Sequence, residues 1–181
     1  MNMINLTKLD LTPYHIQEVD SPLYESFIIG LQEIYWCKSH LIRTLLKLEN
    51  ASISRDVKSS VHAYLESAKR HIYRLDQIFE LLDEQIDVQH CDTLDSLCHD
   101  AEESVNSTLD ALVRDERILL AGEKLSLHEV NGYEKLIALA SNSGRNDTAR
   151  LLAEMFEEEV KIHQAFQGVK QVRTQKMSAA A

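Results

Sequence analysis

Glycine and proline are scarce in this chain, and long uninterrupted apolar runs are absent. Its 181 residues include five glycines and two prolines, whereas 44% are hydrophobic and 27% are charged. Few residues therefore break a helix, and the composition favours an all-α fold in one domain. No apolar run approaches the roughly 20 residues that cross a bilayer, and no leader opens the chain. We therefore expect a cytoplasmic protein with no membrane partner.

Basic residues are also in deficit. The chain has 29 acidic and 19 basic residues, a net charge of -10, and its basic residues are not segregated. Because such a surface repels phosphate backbones, we expect no nucleic-acid partner. The three cysteines, Cys37, Cys91 and Cys98, have unrelated spacings. This pattern implies neither a disulfide framework nor a zinc ligand set, and we expect reduced thiols.

Amphipathic periods divide the chain into helices. Residues 1–20 have no sustained helical period and are interpreted as an N-terminal arm. The predicted long helices span about 21–49, 54–82, 110–142 and 147–170, with a shorter one at about 93–106. This order predicts a four-helix bundle over residues 21–170, with a short crossover helix between the second and third long helices. The last residues, 171–181, have no apolar stripe and are predicted to be a flexible tail.

Several predicted helices carry an ionisable side chain on or near a buried line. Lys38 lies on the first helix, Glu129 on the third and Glu159 on the fourth. Burying such charges is costly unless they are paired. The second helix adds Glu66, one residue off its main stripe, with Lys69 one turn later. Lys38 can bury its stem while its ammonium reaches water, or the ammonium can neutralise Glu129, Glu159 or Glu66 inside the bundle.

A histidine is also placed to join this group. His163 follows Glu159 by four residues, so both side chains can face one side of the last helix. Glutamates from two helices and Glu-x-x-His pairs from two others form dinuclear sites in bundle cores, and iron or manganese suits such ligands. The spacing is a weak signal, because glutamate is abundant in an acidic bundle. His71 and His128 are interpreted as solvated or supporting histidines rather than as ligands.

Five stretches form an ordered series of motifs: LQEIYWCK, YLESAKRHIYRLDQIF, CDTLDSL, LSLHEV and LLAEMFEEEV. The first resembles L-x-[DE]-[IL]-Y-x-A-E, and the second resembles H-L-E-E-T-x-[GE]-[QH]-I-x-R-[LI]-[DE]-Q-[VI]. Both patterns are typical of the bacterial stress-associated ferritin-like proteins of the YciE/YciF group. The resemblance covers about residues 23–170 and puts Cys91 at the recurring cysteine of that group. It implies a ferritin-like fold, a homodimer and an iron-type site.

The chain departs from the family pattern where ligands are expected. Lys38 stands at the family's glutamate on the first helix, and Ser126 stands at an earlier glutamate on the third. On the second helix Glu66 remains, but Lys69 stands three residues later. Two lysines beside a site that has lost carboxylates disfavour a divalent cation.

Two functions follow as hypotheses. We favour a non-enzymatic bundle protein with a degenerate dinuclear site and no cofactor, in which Lys38 replaces a metal charge. The alternative is an iron- or manganese-binding protein with oxidase-like or metal-handling activity, in which the lysines turn away from one metal ion. The residual ligands would then be Glu66, Glu129, Glu159 and His163.

Overall fold

Five α-helices make up most of residues 21–179, the part of the chain that this computed structural model describes. They are α1 (Pro22–Ala51), α2 (Arg55–Leu82), α3 (Asp92–Asn106), α4 (Ala111–Asn142) and α5 (Asn146–Ala179). No strand occurs among the described residues, which confirms the all-α prediction. None of the helices within 21–179 is both long and apolar enough to cross a membrane. The predicted arm at residues 1–20 lies outside the described residues.

Local capping signals set the helix ends. The Ser21 hydroxyl accepts a hydrogen bond from the Tyr24 backbone N–H at 3.1 Å, and Pro22 occupies the first turn of α1. The Asp110 carboxylate accepts from two backbone N–H groups in the first turn of α4. The C-terminal end of α2 is capped by Asp83, whose φ of 56° lies in the left-handed region. These caps satisfy backbone groups that have no partner inside the helix.

The last helix extends further than the sequence period predicts. Helix α5 continues to Ala179, so the predicted helix end at about residue 170 is wrong. Arg173 explains the extension, because its Nε donates to Glu116 Oε1 at 2.8 Å and its Nη1 lies 3.4 Å from Asp56 Oδ1. Ionic contacts to α4 and α2 therefore hold this end, whereas the prediction looked for apolar contacts. Residues 180–181 of the predicted tail lie outside the described residues.

The long helices pack around a common core. Helix α4 packs mainly on α5 and α1 packs mainly on α2, while α1–α4 and α2–α5 contacts complete the bundle. Helix α3 packs against α1 and α4, as the crossover between α2 and α4. The structure therefore confirms the four-helix bundle with a short crossover helix.

The core is divided into two apolar clusters along the bundle axis. One contains Leu41 and Leu45 of α1 with Leu65 of α2, and the other contains Phe27 and Leu31 of α1 with partners from the other long helices. Between these clusters each long helix contributes a fully buried ionisable side chain. We call this set the polar layer, and its members are Lys38, His71, Glu129 and Glu159.

Candidate functional site

The polar layer is centred on the Lys38 ammonium. Lys38 Nζ lies 2.6 Å from Glu129 Oε2 and 2.5 Å from Glu159 Oε1, and all three side chains are fully buried. The same ammonium faces the rings of Tyr133 and Tyr64, at 5.2 and 5.9 Å from the ring centroids. The expected pairing of Lys38 with buried carboxylates is therefore present, and one cation holds carboxylates from α4 and α5.

His71 joins the polar layer from α2. Its Nδ1 lies 3.3 Å from Glu159 Oε1 and 3.1 Å from the Tyr133 hydroxyl, while its Nε2 lies 3.4 Å from Glu158 Oε2. Burial lowers the pKa of His71, and the nearby Lys38 charge lowers it further against the opposing effect of Glu159. The ring is therefore neutral at pH 7 and carries one N–H, which donates to Glu159 or to Glu158 but not to both.

The two inner carboxylates differ in their proton affinity. Burial raises the pKa of Glu129 to about 6, although the Lys38 charge opposes the shift. Burial acts in the same direction on Glu159, but the Lys38 charge and a hydrogen bond from His71 outweigh it and lower the pKa. Burial also disfavours the Lys38 ammonium, yet the two carboxylates raise its pKa and keep it charged. Glu129 is thus the carboxylate that takes up a proton first.

Some buried oxygens of this centre have no hydrogen-bond partner within residues 21–179. They are Glu129 Oε1, Glu159 Oε2 and the hydroxyl of Tyr64. Glu129 Oε2 also lacks a well-oriented hydrogen bond, so its 2.6 Å approach to Lys38 Nζ is a direct ionic contact. One ammonium therefore offsets the charge of only one of the two carboxylates and does not satisfy every acceptor.

Glu66 and Lys69 do not belong to the polar layer, which corrects their placement in the predicted site. Their side chains are 43% and 46% exposed and pair with each other at 2.7 Å. Because successive helical residues are turned by about 100°, one position off the stripe is enough to direct Glu66 to solvent. The inward positions of α2 are Ser67 and His71 instead. No glutamate of α2 reaches the centre, and Lys69 does not intrude on it.

His163 contacts α4 rather than the Lys38 centre. Its Nδ1 lies 3.0 Å from the Ser126 hydroxyl and 3.2 Å from the Glu123 carbonyl oxygen, and its Nε2 lies 3.1 Å from Gln167 Nε2. Of the four residual ligands that the sequence suggests, the structure therefore brings only Glu129 and Glu159 together around Lys38. His71 takes the inner histidine position, and its place beside the buried stripe of α2 was the available sequence signal.

The residues present do not fit a dinuclear carboxylate site of the ferritin-like type. Such a site uses four carboxylates and two histidines from four helices. The polar layer supplies two glutamates and one histidine, and an ammonium occupies the space between the glutamates. Compared with a dinuclear site, the polar layer therefore has fewer carboxylate ligands, and it contains the ammonium of Lys38.

A second polar group lies beside this layer, and sequence spacing did not reveal it. It is formed by Cys37 of α1, Cys91 at the start of α3 and His128 of α4, whose ligand atoms all lie within 4.8 Å of one another. Cys91 Sγ lies 3.7 Å from His128 Nε2. The spacing of the cysteines implied no ligand set, and the fold nevertheless brings Cys37 and Cys91 together with His128. Both thiols are free, as predicted.

A helical bundle with one crossover helix and a central polar layer defines a ferritin-like four-helix protein. The chain belongs to the family described as a domain of unknown function, DUF892, whose family model matches residues 22–179. It is 33% identical over 134 residues to protein YciF of Escherichia coli (strain K12), an alignment that covers 74% of this chain and 81% of YciF. The resemblance drawn from the motifs is thereby confirmed.

Solved structures agree with this assignment. The crystal structure of the E. coli stress protein YciF matches with a TM-score of 0.81 and 29% identity, and the match covers 85% of this chain and 98% of YciF. YcfI of Rhodopseudomonas palustris matches with a TM-score of 0.78 and 26% identity, over 81% of this chain and 94% of YcfI. The common fold therefore extends over nearly the whole length of both relatives.

Proposed function

We propose that this chain is a non-enzymatic ferritin-like protein of the stress-associated type, in which a lysine ammonium replaces the charge of a metal centre. The observation that carries the proposal is the position of Lys38 Nζ, 2.6 Å from Glu129 Oε2 and 2.5 Å from Glu159 Oε1. In dinuclear bundle sites, metal cations hold inward carboxylates from different helices together. Here a side chain of α1 does so.

Electrostatic repulsion supports this proposal over a metal-binding function. At an effective dielectric constant of 20, two unit charges 4 Å apart interact by about 4 kcal/mol, so a divalent cation at that distance from an ammonium is opposed by about 8 kcal/mol. In the absence of a metal ion the two carboxylates raise the pKa of Lys38, so its ammonium keeps its charge. The ammonium and a metal ion therefore compete for one place.

The name of E. coli YciF as a stress protein, together with the shared fold, supports a stress-associated role. The proposal includes the homodimer and the cytoplasmic location that the family resemblance and the sequence suggest. Light scattering of the full chain measures the oligomeric state, and a monomer mass would contradict the dimer. Fractionation of cells that express the chain tests the location.

Metal analysis of the full chain tests the central proposal. The protein is expressed with added iron or manganese and purified without a nickel column. We expect no stoichiometric iron or manganese in the wild type. Stoichiometric metal that is lost in Glu129→Gln would overturn the proposal and establish the metal-handling alternative.

A substitution at Lys38 makes the test sharper. Lys38→Glu removes the ammonium and restores the carboxylate that the family pattern has at this position, so we expect it to bind more iron(II) than the wild type. Lys38→Met is the matched control, because it removes the same charge without adding a ligand. Equal iron binding by the wild type, Lys38→Glu and Lys38→Met would count against competition between the ammonium and a metal.

A further inference from the structure

The group formed by Cys37, Cys91 and His128 joins three elements that are distant in sequence. Cys37 is 3% exposed and Cys91 is 9% exposed, while His128 is partly buried. Their potential ligand atoms lie within 4.8 Å of one another. This convergence does not involve the polar layer, because Lys38 and Glu129, the chain neighbours of Cys37 and His128, point to the bundle axis.

The interatomic distances suit a tetrahedral cation. With Zn–S near 2.3 Å and Zn–N near 2.05 Å, two sulfur ligands lie about 3.8 Å apart, and a sulfur and a nitrogen lie about 3.6 Å apart. Cys91 Sγ and His128 Nε2 are 3.7 Å apart, which is already the required separation. Cys37 Sγ needs to move by no more than about 1 Å, since all pairs are within 4.8 Å.

An open groove gives a cation access to this group. The groove has a volume of about 550 Å³, and its lining includes Cys37, Cys91 and His128 with Glu33, Asn131 and Gly132. All three potential ligands line this groove, so water in the groove can supply a fourth ligand. Three protein ligands plus water is the coordination of catalytic zinc sites, and two cysteines with one histidine is one of the known ligand sets.

The electrostatic surroundings favour the ligand form of His128. Cys91 is the N-cap of the 15-residue helix α3, so its thiol lies at the N-terminus of that helix. Burial lowers the pKa of His128, so its imidazole is neutral and free to coordinate at pH 7. Burial raises the pKa of Cys37, but a bound cation deprotonates a coordinating thiol. Binding one zinc ion would release two thiol protons to solvent and leave the metal with two thiolates, a neutral set.

We propose that Cys37, Cys91 and His128 form a binding site for zinc(II), separate from the Lys38 centre. Thiolate and imidazole ligands select a borderline-soft cation, whereas the glutamates of the polar layer would select iron or manganese. The groove site and the bundle core therefore differ in the type of metal ion that their ligands favour. The zinc site stands whether or not the proposed replacement of a metal by Lys38 is correct.

Titration of the reduced, metal-free full chain tests the site. Zinc(II) is added in competition with a chromophoric chelator, and cobalt(II) is used as a spectroscopic probe. We expect one zinc ion per chain and a sulfur-to-cobalt charge-transfer band, which reports thiolate ligation. Absence of zinc binding, or a cobalt spectrum without that band, would overturn the proposal.

Three substitutions locate the bound ion. Changes to outer-shell partners already cost about 10- to 100-fold in metal affinity. We therefore expect Cys91→Ser and His128→Gln to weaken zinc binding by about 100-fold or more, while Cys98→Ser, the matched thiol control, leaves it unchanged. Circular dichroism verifies the fold of each variant. His128 is the least buried of the three ligands, so His128→Gln is the variant best placed to keep the fold; zinc binding that survives in a folded His128→Gln protein would contradict the site.

Discussion

Two consecutive residues point into different surroundings on each of two helices. They are residues 37 and 38 on α1, and residues 128 and 129 on α4. Lys38 and Glu129 meet at the bundle axis, where both are fully buried and 2.6 Å apart. Cys37 and His128 point to a groove beside α3, where Cys91 completes the group. One step along a helix turns a side chain by about 100°. The same two helices therefore carry a closed ionic centre on one side and an accessible thiol–imidazole group on the other.

The two sites differ in burial and in access to solvent, and not only in the types of residue that form them. The axial centre is closed by apolar clusters above and below, so its charges contact one another, His71 and two tyrosine rings. The groove group has open space on one side, so a ligand from solvent can complete it. We expect changes at the axis to alter stability, and changes in the groove to alter binding.

The largest effect is expected for Lys38→Ala. Removing one partner of a buried ionic group leaves uncompensated charge, which typically costs about 3–5 kcal/mol. Lys124 is on the exposed face of α4, so Lys124→Ala is the control, with a change of no more than about 0.5 kcal/mol. Urea unfolding of the two variants measures the difference. Equal changes in the free energy of unfolding would refute a structural role for the buried ammonium.

A somewhat smaller effect is expected when zinc binds in the groove. A ligand present at 100 times its dissociation constant stabilises the folded state by about 2.7 kcal/mol. The wild type and Glu129→Gln should both gain this stability, whereas His128→Gln should not. Thermal unfolding with and without zinc measures the gain. If Glu129→Gln loses the gain and His128→Gln keeps it, the two sites are not separate in the way proposed here.

The pH dependence of the free energy of unfolding tests the protonation of Glu129. Its pKa is raised from 4.5 to about 6 in the folded protein, so the folded state holds this proton more tightly. The contribution of Glu129 to stability is therefore fully present below pH 4.5 and is lost as the pH rises through 6. A shift of that size corresponds to about 2 kcal/mol.

Glu129→Gln removes this titration. The free energy of unfolding of the variant, minus that of the wild type, should rise by about 2 kcal/mol in total as the pH increases, with more than half of the rise between pH 4.5 and pH 6. Denaturant titrations at several pH values measure this difference. Glu134→Gln makes the same change at an exposed position of α4 and serves as the control. A constant or falling difference would mean that Glu129 is not the carboxylate that binds the proton.

The smallest effect is expected at the surface pair of Glu66 and Lys69. Both side chains are more than two-fifths exposed, and exposed pairs add little to stability. Lys69→Ala should leave the unfolding midpoint unchanged within error and should not affect zinc binding. A loss of stability similar to that of Lys38→Ala would mean that Glu66 and Lys69 do belong to the functional site.

Much of the fold was predictable from the sequence because helical periods are local. The four long helices, the crossover helix and the inward position of Lys38, Glu129 and Glu159 all follow from steps of three and four residues. The end of α5 was missed because Arg173 holds it through charges on other helices. A period-based argument detects an apolar face but not an ionic contact between helices.

The sites were only partly predictable. Glu66 satisfied the family pattern, yet its position one residue off the stripe directs it to solvent. His71 was interpreted as a solvated or supporting histidine, but the structure buries it fully and places it against Glu159 and Tyr133. Cys37 and Cys91 have no ligand-type spacing, so only the packing of α1 and α3 reveals that they are neighbours.

The sequence alone determined which residues form helices and which face of each helix is buried, because both depend on interactions within a few residues. It also determined that the buried faces carry one lysine and two glutamates. Only the tertiary structure decided which of these side chains meet, because the rotation and axial offset of each helix are set by packing against all the others. That packing brings Lys38 between two carboxylates, removes Glu66 from the centre, and joins Cys37, Cys91 and His128.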